Sequence, residues 1–186
     1  ERGNATAEQL AAALTSYYQI PDASFSSVVT DVSDWIHQLC QLGMLTASLQ
    51  SVPEDASCCL SIAGLILHLY DPSDLVSASF DAFRTDSFAQ LPDQRIDLLT
   101  APPESRSYEQ VLLQNREMTI FQNSDRYVIL FPTMPDIYEA HMALDGSYVR
   151  IFCRAVHTGE ASDDLFHAIR LFFLYLAQRK GMFALH

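Results

Sequence analysis

Apolar residues recur at helical spacing twice within the first fifty positions. They then give way to short apolar runs divided by turn residues, and return to helical spacing near residue 165. Leu10, Leu14, Tyr17 and Tyr18 lie three or four positions apart, which predicts a helix with one buried face. Thr6 with Gln9 three residues on forms a capping box that starts it. Ile20-Pro21-Asp22 ends it, because proline lacks an amide donor and restricts the residue before it. A second helix is expected over about 24–42, with Val28, Val32, Trp35, Ile36, Leu39 and Cys40 as its apolar stripe. Gly43 suits the position after a helix, where positive φ is common, and Met44-Leu45 reads as the start of a strand or wing.

Residues 48–55 are polar and serve as a linker. The stretch 58–70 is apolar and β-prone, with Gly64 inside it marking a bulge or a close approach. Asp71-Pro72-Ser73-Asp74 is expected to open a short helix with Leu75, Phe80 and Phe83 buried. Residues 95–99 form a short strand before the Pro102-Pro103 turn. Two hairpins follow. Strands 118–121 and 127–131 flank Asn123-Ser124-Asp125, and strands 138–144 and 148–153 flank Asp145-Gly146, a turn pair that favours positive φ. Ser162-Asp163-Asp164 caps a long helix whose Leu165, Phe166, Ile169, Leu171, Phe172, Phe173, Leu174 and Leu176 leave little polar face. The expected fold is α+β. Residues 1–50 form a small helical, winged-helix-like unit, and residues 57–186 an antiparallel β-rich domain with a long buried C-terminal helix.

Composition narrows the function classes. The chain of 186 residues is 49% hydrophobic and 11% aromatic, as expected of a core-forming protein. No apolar run reaches the roughly 18 residues that span a bilayer. Eleven Lys and Arg against 23 Asp and Glu give a formal charge of −12. Phosphate backbones are bound through clustered cations, and only Gln178-Arg179-Lys180 approaches a cluster, at a helix C-terminus. Nucleic acid is therefore disfavoured, and a partner chosen by charge would be basic. Cys40, Cys58, Cys59 and Cys153 match no zinc or redox spacing. They read as buried thiols in a reducing cytoplasm, with Cys58 and Cys59 on opposite faces of a strand.

Candidate chemistry is sparse. The histidines at 37, 68, 141, 157, 167 and 186 are dispersed and form no helical ligand pair. His141 stands two residues from Glu139 on a strand and can pair with it on one face. Asp163-Asp164 is explained by helix capping. No Gly-x-Ser-x-Gly elbow and no Gly-rich phosphate loop ending in Gly-Lys-Ser/Thr occurs. No catalytic, cofactor-binding or metal-binding residue is assigned.

Two resemblances add to this reading. Gly3-Asn4-Ala5-Thr6, Glu8-Gln9-Leu10-Ala11-Ala12-Ala13-Leu14, the Tyr17-Tyr18 end and Val32-Ser33-Asp34-Trp35-Ile36 through Leu39 to Leu42-Gly43-Met44-Leu45 resemble the PqqD family. Those are winged-helix peptide-recognition domains of ribosomal-peptide modification, in which a leader peptide adds as a strand. The order of sheet, long helix, Arg179-Lys180-Gly181 and Met182-Phe183-Ala184-Leu185-His186 resembles the front part of the HPr kinase and PEP-carboxykinase-like family. The resemblance implies a Leu-His-Ala-Ser strand and a phosphate loop further on.

On this expectation the chain is a fragment, cut before Glu1 and after His186. It would be the front part of a kinase-like protein that binds a peptide or small-protein substrate. ATP and Mg are expected only for the longer parent. The alternatives are a non-enzymatic interaction module or scaffold, and a winged-helix transcription regulator. The oligomeric state stays open.

Overall fold

The computed structural model describes residues 6–21, 24–42, 44, 55–71, 75, 78–103, 108–154 and 161–182. It is an α+β protein. Two helices, α1 (Ala7–Tyr18) and α2 (Phe25–Gln41), precede an eight-stranded, mostly antiparallel sheet and a long helix, α3 (Ala161–Arg179). The strands are β1 (Cys58–Ile62), β2 (Leu65–Tyr70), β3 (Gln94–Leu99), β4 (Gln110–Gln114), β5 (Thr119–Gln122), β6 (Arg126–Leu130), β7 (Ile137–Ala143) and β8 (Tyr148–Cys153). Their order across the sheet is β1-β2-β3-β8-β7-β6-β5-β4.

Both hairpins expected after residue 117 form, as β5–β6 and β7–β8. The stretch 58–70 is not one strand with a bulge. It is a hairpin, because Ala63 and Gly64 both take positive φ (51° and 84°), the geometry of a two-residue turn. Pairing is parallel where β3 lies between β2 and β8, so the sheet is not antiparallel throughout. That central placement requires crossovers, which run from β2 through a 3-10 helix (Ala78–Phe83) to β3, and from β3 out to β4 before the chain returns.

The core lies between one sheet face and α3. Leu165, Ala168, Ile169, Phe172, Leu176 and Ala177 repeat at helical spacing and meet Leu67, Leu69, Ile96, Leu98, Val149 and Ile151. Each fully buried Leu, Ile or Phe contributes about 1.5–3 kcal/mol. Phe80 of the 3-10 helix joins this core, while Phe83, expected inside, is exposed. Gln94 is also fully buried. Its amide donates to the carbonyls of Gly146 at 2.7 Å and Phe172 at 3.3 Å, tying β3 to a turn and to α3. Cys58 and Cys153 pack in the core and Cys59 is buried on the other face, all as free thiols.

The first helix differs most from expectation. Its capping box is present: the Gln9 amide donates to Thr6 Oγ1 at 3.2 Å and the Thr6 amide to Gln9 Oε1 at 3.0 Å. Yet Leu10, Leu14, Tyr17 and Tyr18 are exposed, and the buried contact is Ala11 against Val29 and Val32 of α2. Small Ala11 lets the helices approach closely, which turns the large residues outward. Trp35 is likewise 58% exposed rather than part of the buried stripe. The Cys40 side chain, Gly43, Leu45, residues 72–74 and the terminal apolar segment after Met182 lie outside the described residues.

The helix α2 reaches the sheet face opposite α3. His37 stacks on Tyr138 with ring centres 4.6 Å apart, and Asp34 pairs with Arg154. Tyr138 in turn packs with Leu99 and Phe152 in a small cluster of its own.

Candidate functional site

The sheet face away from α3 is polar at its centre, a consequence of strand alternation. In β3, Ile96 and Leu98 point to the core and Arg95 and Asp97 away from it. In β8, Val149 and Ile151 point in, and Tyr148 and Arg150 away. Strand register then brings one row together across five strands: Tyr70, Asp97, Arg150, His141 and Val128.

From Tyr70 to Arg150 this row is linked through the neighbouring Arg95 and Tyr148 side chains. The Arg95 guanidinium lies 3.8 Å over the Tyr70 ring and donates to Asp97 at 2.8 Å. The Tyr148 hydroxyl donates to the other Asp97 oxygen at 2.5 Å and accepts from Arg150 at 2.7 and 3.1 Å. Burial pushes the Tyr148 phenol up, and its hydrogen bond to the Asp97 carboxylate adds to that. Arg95 is held more firmly protonated: burial opposes its charge, but Asp97 outweighs burial.

On β7 a second pair adjoins the row. His141 Nε2 and Glu139 Oε1 meet at 2.6 Å, and the Tyr108 hydroxyl donates to Glu139 Oε2 at 2.9 Å. The sequence places Glu139 and His141 on one face; the structure adds that both are buried, beneath Tyr108 and against Phe152. A cavity of about 270 Å3 opens beside them, its polar lining made by Asp125, Arg126, Arg150, His141 and Tyr148. The Asp97–Tyr148–Arg150 chain has no signal in local sequence, since its members meet only through β3–β8 pairing.

The other residues singled out from the sequence stand apart. Asp163 and Asp164 occupy the first turn of α3. His167 lines a wider cavity of about 690 Å3 between α3 and the β4–β5 turn, over Met118, Phe131 and Leu174. His68 is buried on β2 beside Phe88. Among the described residues no group of three or more His, Cys, Asp or Glu has metal-binding geometry, and no helix is long and apolar enough to cross a membrane.

The two sheet edges differ. At β1 the chain itself covers the edge: Leu60 bridges to Arg84, and the Thr85 amide donates to Cys59 O at 3.0 Å. At β4 no described residue does so. All five of its residues are exposed, including Val111, Leu112 and Leu113. Its pairing with β5 slips between Val111 and Leu113. No family model, curated protein or solved structure matches this chain.

Proposed function

We propose that this chain recognises a peptide or small protein by strand addition at β4, as the substrate-recognising part of a kinase-like protein of ribosomal-peptide modification in the cytoplasm. The observation behind the recognition step is the contrast between the edges. An edge strand offers a row of unpaired amides and carbonyls, and proteins ordinarily cover it, charge it or shorten it. Here β1 is covered, whereas β4 presents three consecutive apolar residues. Strand addition uses such backbone groups for affinity and alternate side chains for selectivity. The charge of −12 favours a basic peptide.

The kinase-like setting rests on the PqqD-like and HPr-kinase-like sequence features, with ATP and Mg belonging to a longer parent. Buried free thiols fit a reducing cytoplasm. A non-enzymatic interaction module would use the same edge and differs only in lacking a kinase half. NMR titration with basic leader-type peptides tests the recognition step. Shifts should concentrate in 110–114, and Val111→Lys with Leu113→Lys should abolish them by charge repulsion and loss of apolar contact. Peptides that bind equally well to the double variant would exclude the β4 edge.

A further inference from the structure

We propose that the cavity between β6, β7 and β8 is a binding site for an oxyanion group, a carboxylate or a phosphate, held by Arg150 and Arg126. The reasoning starts from charge pairing on the polar face. Arg95 has Asp97 at 2.8 Å, Arg126 has Asp125, and Arg154 has Asp34. Arg150 alone on this face pairs with no carboxylate among the described residues; its guanidinium bonds only the Tyr148 hydroxyl. In a chain with 23 acidic residues and 11 Lys and Arg, a half-buried guanidinium without its own carboxylate is the exception.

The carboxylates nearby are already engaged. Asp97 accepts from Arg95 and Tyr148, Glu139 from His141 and Tyr108, and Asp125 from Arg126. None is left to turn toward Arg150.

Arg150 is also held in place rather than loose. Two of its N–H groups are fixed by Tyr148, whose own proton is committed to Asp97. A guanidinium has five donors, so three remain for a ligand. Charge-assisted bonds from such a fork to carboxylate or phosphate are about twice as strong as neutral ones, and prior ordering lowers the entropy lost on binding. Arg126 stands on the same cavity as a second guanidinium, paired there with Asp125, which also lines it, and His141 lies beside them. The volume, about 270 Å3, suits a charged group on a small body rather than a large cofactor. This site does not depend on strand addition at β4, which lies two strands beyond β6.

The test is calorimetric titration at low salt with inorganic phosphate and, separately, with succinate. At least one should saturate in the millimolar range or tighter, and which one does identifies the group. Arg150→Gln should weaken binding by about tenfold or more, the loss of one charge-assisted contact. Arg126→Gln, at the rim, should weaken it several-fold without changing the thermal melt, and decides the matter if Arg150→Gln fails to fold. Arg116→Gln, on the β4–β5 turn, should leave it unchanged. Absence of saturation by both anions, or binding that survives both Arg126→Gln and Arg150→Gln, overturns the proposal.

Discussion

Glu139 and His141 leave β7 on the same side and join at 2.6 Å with both side chains closed off from solvent. In such a buried pair each group meets the other's hydrogen-bonding need, so removing one member strands the other. The Tyr108 hydroxyl, donating to the same carboxylate, ties the 108–109 segment to this pair.

His141→Leu should therefore cost about 1–3 kcal/mol, as expected when a buried acceptor loses one of its hydrogen-bond partners. Adding Glu139→Leu should recover most of that loss, which urea unfolding of the two single variants and the double variant will measure. Additive losses would mean that the two side chains act independently.

Gly146 and Gly64 give a controlled comparison. Both sit in hairpin connections with positive φ, Gly146 at +78° in the four residues between β7 and β8 and Gly64 at +84° in the two-residue turn between β1 and β2. A Cβ at Gly64 meets open space, so Gly64→Ala should cost only the backbone term of about 1 kcal/mol. At Gly146 a Cβ would stand 2.9 Å from Tyr175 Cδ1, and the Tyr175 hydroxyl is anchored to Leu144 O at 2.8 Å. Gly146→Ala should cost about 1–3 kcal/mol more, the usual range for overpacking. Equal melting points for the two variants would show that the β7–β8 turn does not press on α3.

Gln94 tests the crossover that the parallel strands require. Replacing it by Leu keeps the volume but removes the donor to Gly146 O and Phe172 O inside the core. A buried acceptor left without its donor costs about 1–3 kcal/mol. Loss should appear as faster amide exchange in β3 and around 144–147, and unchanged exchange there would argue against the link.

What could be read along the chain was whatever depended on neighbours. The capping box at Thr6 and Gln9, the Asp145-Gly146 turn and the apolar repeat of α3 are local signals, and all three elements form. The Ala63-Gly64 hairpin was hidden because Ala seldom takes positive φ, so 58–70 looked continuous. Periodicity in α1 correctly marked a helix but not which face is covered, since Ala11 sets the approach to α2. Strand β4 carries no alternation of apolar and polar positions, since Val111, Leu112 and Leu113 are consecutive between two glutamines. At the site, Glu139 and His141 share a face by simple alternation. Asp97 and Tyr148, 51 residues apart, meet only because β3 inserts parallel beside β8, and no local pattern encodes that.

The contact of α2 with the sheet should be limited by two titrations, one at each end of the pH range. Burial pulls the His37 imidazole below its ordinary 6.5, against an opposing pull from Glu139. The folded state thus binds that proton less readily than the unfolded chain. Its contribution is present above pH 6.5 and lost as pH falls toward the lowered value. Burial pushes the Tyr138 phenol up to about 12, with Ser33 pulling the other way. That contribution is complete below the ordinary value of 10 and lost as pH rises through about 12. Asp93 and Asp145 do not blur the acid side, because both titrate below the ordinary 3.8. At Asp93, burial is outweighed by the Ile66 amide and Lys180, and at Asp145 the Ser147 hydroxyl and amide dominate. Amide protection in α2, taken relative to the intrinsic exchange rate at each pH, should be highest on a plateau between these limits. His37→Gln should flatten the acid limb, Tyr138→Phe should flatten the alkaline one, and neither should alter exchange in α3. Limbs that persist in both variants would place the titrating groups elsewhere on the α2 contact.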